Sequence, residues 1–222
     1  MALEPDNMKL RLDGRWGLEE LSDVTKDYIQ LYGFAYSLTP GLPVSRREEL
    51  DYIYAKFPWR GGYSTVNFFN QLFHKIPHQL RPQIQRIQYA SPGFIELSLL
   101  LSAAVTVAGI VRATCFSINK AHDTYRNIQK AAADHKLSRI NLAKQQLELT
   151  QQQQAFCRDS SKDLEQLFKL TAEQVALIDQ RTEGNPAMKV KILLSVYRRV
   201  EPLAQQQVQG KLDVNIDEEK SN

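Results

Sequence analysis

Two cysteines in 222 residues, Cys115 and Cys157, and no CxxC pair leave too few thiols for a disulfide framework or a cysteine zinc site. This usage fits a reducing compartment. Also missing are the GxxxxGK[ST] phosphate loop, the GxGxxG dinucleotide turn, the GxSxG nucleophile elbow and the HExxH metal helix. No enzyme class is indicated, and neither a cofactor nor a metal is expected. His74 and His78 are four apart, but Pro77 intervenes and no acidic or cysteine ligand is near. Met1 to Asn7 carries Glu4 and Asp6 and no apolar run, so neither a secretory signal nor a transit peptide is expected there. From Phe57 to Ile95 there is no Asp or Glu at all.

What is present is an ordinary globular composition, with 43% hydrophobic and 24% charged residues and a net charge of +3. Such a chain can bury a core, and wholesale disorder is excluded. Its middle is basic. The acid-free stretch holds Arg60, Lys75, Arg81 and Arg86, and Arg112 to Glu148 has seven basic residues against three acids. The tail from Asp213 to Glu219 is acidic.

Alternation at Met8, Leu10 and Leu12 before the Asp13-Gly14 turn signal predicts a short strand, and Gln83 to Tyr89 a second that pairs with it. Helical spacing predicts helices over Leu18 to Leu38, Arg46 to Phe57, Ser64 to Lys75, Leu164 to Asp179 and Met188 to Gln207. The second starts on a Ser45–Glu48 capping box. Ser91-Pro92-Gly93 reads as a helix start, with serine as cap and proline in the first turn. From Phe94 no strong stop occurs before Phe156, so one projecting helix of roughly 94 Å, or a hairpin, is expected. The predicted fold is mainly α with a minor two-stranded β element, one long central helix and a C-terminal helical pair. It divides into an N-terminal α+β domain (1–93), a helical region (94–210) and a flexible acidic tail (211–222).

Four surfaces could carry function. Phe94 to Val111 is eighteen residues long with a single charge, Glu96, which reaches the lower length of a membrane span and equally suits a buried core helix. Ser98, Ser102 and Thr106 recur every four residues, a stripe that lets another helix approach. Ala121, Ile128, His135, Leu142, Leu149 and Phe156 recur every seven, the spacing of a coiled-coil seam. Trp59, Arg60 and Tyr63 in a glycine loop, with Lys75, Arg81 and Arg86, would suit contact with nucleic acid. A tight turn whose Trp and Tyr anchor in the core uses the same residues.

Arg86-Ile87-Gln88-Tyr89-Ala90-Ser91-Pro92-Gly93-Phe94-Ile95-Glu96-Leu97 resembles a strand, Ser-Pro turn and helix motif of small bacterial proteins, some in defence settings. The resemblance spans Met8 to Val111 and implies a small α+β unit followed by a helix that is membrane-associated in some of those proteins. It supplies no catalytic residues. The expectation is a non-enzymatic, cytoplasmic component of a bacterial defence or toxin-like system that assembles with itself or with a partner protein through the long helix. The two rivals are an inner-membrane effector inserting Phe94 to Val111 and a nucleic-acid-binding accessory.

Overall fold

The computed structural model describes residues 3–56, 61–134 and 149–214. Among them eight α-helices hold 68% of the residues, beside a four-stranded antiparallel sheet. The mainly α expectation therefore stands, but the β part is twice the two strands expected.

The first strand, β1 (Asp6–Leu12), alternates buried Met8 and Leu10 with Lys9 and Arg11. It is followed by α1 (Leu18–Ser37), α2 (Val44–Lys56) and α3 (Gly61–His74). α2 starts one residue before Ser45, so that serine lies within the first turn and not at the cap. After a short 3-10 turn (His78–Leu80) come β2 (Gln83–Gln88) and β3 (Gly93–Leu99).

Here the long-helix expectation fails. Ser91-Pro92 is the turn of a β-hairpin, with a cis peptide between the two residues. Gly93 to Leu99 is a strand because it alternates: Ile95, Leu97 and Leu99 are buried, and Glu96 and Ser98 lie on the other face. All seven of its residues pair with β1, from Gly93 opposite Leu12 to Leu99 opposite Asp6. A Cβ on Gly93 would come within 2.8 Å of the Gln88 and Ala90 carbonyl oxygens, so the tight return admits only glycine. β2 pairs with β3 and not with β1. The strand order is β2-β3-β1-β4, where β4 is Leu212–Asp213. The division expected between 93 and 94 falls inside this hairpin.

The rest of the expected long helix is also divided. α4 (Leu101–Phe116) and α5 (Ile118–Asp134) meet at Ser117 with their axes 94° apart. α6 (Gln151–Phe168) starts afresh on a capping box between Thr150 and Gln153. A second box, Thr171 with Gln174, starts α7 (Ala172–Arg181), so Leu164 to Asp179 is two helices and not one. Last comes α8 (Pro186–Val208), capped by the Asn185 side chain. It packs against α1, α4, α5 and α6, with fourteen buried residues distributed round its circumference. A helix buried on most of its sides belongs at the centre.

One hydroxyl joins the two layers. Tyr32, fully buried on α1, donates to the Leu80 carbonyl (2.7 Å) and accepts from the Leu100 amide (2.8 Å). Leu80 precedes β2 and Leu100 follows β3, so both ends of the hairpin are held by the same atom. Tyr32→Phe leaves a buried carbonyl and a buried N–H unpaired, and we expect a loss on the order of 2 to 4 kcal/mol. Urea unfolding checks this: the midpoint should fall with the slope unchanged, and an unaltered midpoint would refute the role.

Candidate functional site

Chemistry inside the fold is bound up in structural pairs. Three buried cations each tie helices together. Arg181 donates to the Ser37 carbonyl at the end of α1, and its Nε lies 3.2 Å from Asp51 of α2. Lys189 of α8 lies 2.6 Å from both Glu165 of α6 and Asp179 of α7. Arg199 of α8 donates to Gln30 of α1 at 2.6 Å and sits 3.8 Å from the centre of the Phe69 ring on α3. Burial explains why each has partners, since an unpaired internal charge is costly.

Neither thiol is prepared as a nucleophile. Burial pushes Cys157 up to about 11 and raises Cys115 as well. Among the described residues no group of three or more His, Cys, Asp and Glu is placed to hold a metal.

Of the expected interface residues, Ile128 and Leu149 are buried in the chain's own core, so that part of the seam packs internally. Leu142 lies outside the described residues. Ser98 is on β3, opposite Asn7 and Gln83, and shares no helix with the other two. Ser102 and Thr106 do share an outer side of α4, but the Thr106 hydroxyl donates to the Ser102 carbonyl and accepts from Gln174 of α7. Among the described residues no single helix is long and apolar enough to cross a membrane. Only the bent pair α4 and α5 reaches the length together. Phe94 to Val111 is divided between a strand and a helix.

The basic group is dispersed. Arg81 donates to the carbonyls of His74 and Ile76 at 2.7 and 2.8 Å, closing the end of α3. Lys75 stands just beyond that end, half-buried. Arg86 lies on the outer face of the sheet opposite Glu96, which also opposes Lys9. Both cations stand 5.6 Å from the Phe94 ring centre. Trp59 and Arg60 lie outside the described residues, as does the side chain of Tyr63. With Glu96 between Arg86 and Lys9, and Asp213 opposite Arg11, this face is nearly balanced in charge.

The exposed feature that sequence reasoning missed is the edge of the sheet. β2 pairs with β3 on one side and, among the described residues, with nothing on the other. Ile84 pairs with Leu97, and Ile87 with Ile95, because one extra residue, Gln85, interrupts the ladder between Ile84 and Arg86. Without that bulge two residues three apart would point to opposite faces. With it both isoleucines point to the core side, beyond the reach of the helices, and remain 60% and 58% exposed. Tyr89, next to the strand, is 78% exposed. Three of the ten large apolar residues left exposed among the described residues thus fall within six positions, on or beside an edge strand. Such an edge is a template for another strand.

Fold and edge together define a mainly α protein with a small antiparallel sheet whose β2 edge has no strand partner among the described residues. No family model, curated protein or solved structure matches the chain.

Asp27, on α1, offers a test of the interior. Burial, partly offset by Arg199, raises its carboxyl from 3.8 to about 6. The folded chain therefore binds this proton more tightly than the unfolded one. The corresponding stability is complete below about pH 4 and is lost as pH rises to about 6. Asp27→Asn should remove that decline, so the difference between wild-type and variant urea midpoints should change between pH 4 and 6 and be level above 7. A constant difference across the range would contradict the assignment.

Proposed function

We propose that this chain is a non-enzymatic binding component that takes an extended protein segment onto the free edge of β2. The observation that supports this reading is the co-location of exposed Ile84, Ile87 and Tyr89 on or beside a strand whose outer edge has no partner among the described residues. Main-chain hydrogen bonds would supply affinity, and the isoleucines specificity by accepting alternate apolar side chains. The interface is thereby moved from the expected long helix to the hairpin, since Ile128 and Leu149 are already covered by the chain itself. A nucleic-acid role has less support, because Arg81 is occupied by carbonyls and Arg86 faces Glu96. By the resemblance of Arg86 to Leu97, the setting proposed is a bacterial defence or toxin-like system.

Photo-crosslinking in living cells tests the binding role. Ile87→p-benzoylphenylalanine should give a discrete adduct, identified by mass spectrometry, that the same substitution at the exposed Leu18 does not give. Equal yields from the two positions, or no adduct from either, would refute it. The setting has its own check: deleting the gene should raise plaque counts of an infecting phage and leave uninfected growth unchanged.

A further inference from the structure

We infer that the segment received by β2 is β2 of a second copy, the two strands running antiparallel about a two-fold axis to make one continuous eight-stranded sheet. This rests on the proposed role of the β2 edge and names its occupant. A two-fold contact is isologous, so the strand must complement itself when reversed. It does so in one register. Setting Ile84 opposite Ile87 of the copy also sets Gln83 opposite Gln88, Gln85 opposite Arg86 and Pro82 opposite Tyr89.

Three of the four pairs in this register agree in face, and the fourth, Gln85 with Arg86, lies at the bulge. Ile84 and Ile87 both lie on the core side, opposite Leu97 and Ile95, whereas Gln83 and Gln88 both lie on the outer side, opposite Ser98 and Phe94. Pro82 and Tyr89, each one step beyond those glutamines, alternate back to the core side. The apolar pairs each occur twice by symmetry. Pro82 has no N–H to leave unpaired at the rim.

Neighbouring registers are worse for stated reasons. A shift of one residue in one direction places Arg86 opposite Arg86, two like charges in direct opposition. The opposite shift faces Ile84 with Arg86 and Ile87 with Gln83, which mixes the two faces of the sheet. In the favoured register each Arg86 keeps its own Glu96 across the strand pair, so the basic, acid-free stretch does not repel its copy at the seam.

The small contact argues for a weak dimer. One six-residue edge and three exposed side chains bury less than the roughly 800 Å² per partner of a standard specific interface. The dimer is accordingly reversible, with a dissociation constant on the order of 100 µM.

The test uses the full purified chain. Sedimentation equilibrium over a concentration range that brackets that constant should show monomer passing reversibly to dimer. Ile87→Lys, at an exposed edge position, should keep the thermal midpoint and shift the dissociation constant at least tenfold upward. Register is read by disulfides in a Cys115→Ser background, where Cys157 is fully buried. Mixed Ile84→Cys and Ile87→Cys chains should oxidise to the heterodimer in preference to either homodimer, and Arg86→Cys should not link to itself. A monomer at every concentration, with a position-87 adduct to a different protein in cells, overturns the second copy and leaves the β2 edge as the binding site. A dimer that survives Ile87→Lys overturns the second copy at this edge and leaves the binding role of β2 to the crosslinking result, and preferential Arg86→Cys linkage overturns the register.

Discussion

The Tyr32 hydroxyl is the atom through which sheet and helices share one geometry. It satisfies the Leu80 carbonyl and the Leu100 amide together, at the two ends of the β2–β3 hairpin. The hairpin can therefore neither slide along α1 nor splay without leaving a buried polar group unpaired. β3 is held again by its seven-residue pairing with β1, and a buried contact between the Tyr28 hydroxyl and the Met8 sulfur ties β1 to the same helix. β2 has no such second support. It is bonded on one side only, and its position follows from Tyr32, from Arg81 closing α3 and from Gln83 donating to the His78 carbonyl.

The helical layer is organised by a related rule. Arg181, Lys189 and Arg199 each bring three helices to one charge, and in each case partners from separate parts of the chain share its desolvation. Hydrophobic burial round α8 supplies the larger driving force, but apolar contact is non-directional and leaves the helices free to rotate. The charged contacts have distances and directions, and they remove that freedom. The shifts of Asp27 and Cys157 have burial in this packed interior as their largest cause.

The bulge at Gln85 connects this architecture to the proposed binding role. It costs the ladder a residue and in return aligns Ile84 and Ile87 on one face. At the centre of a sheet those side chains would join the core. On the edge strand they remain more than half exposed, beside backbone that has no strand partner among the described residues, and a further strand would cover both.

The sequence by itself determined the elements whose signals are local. β1 was legible from alternation and its turn residues, β2 from apolar Ile84, Ile87 and Tyr89 before Ser91-Pro92-Gly93, and α1, α2, α3 and α8 from period, capping signals and flanking Pro and Gly. The helix starts at Thr150 and Thr171 were equally present as Thr-x-x-Gln boxes, and β3 as strict alternation from Ile95 to Leu99, but the lack of a strong stop between Phe94 and Phe156 concealed β3 and the start at Thr150. Only the tertiary structure decided which strands pair, because Met8, Leu10 and Leu12 match either neighbour in pattern and the close approach at Gly93 selects β3. It also decided which apolar residues stay exposed. Ile84 and Ile128 are both isoleucines of the basic middle, yet the first lies at a sheet edge and the second is buried in the core, and exposure depends on which distant segments arrive to cover a residue.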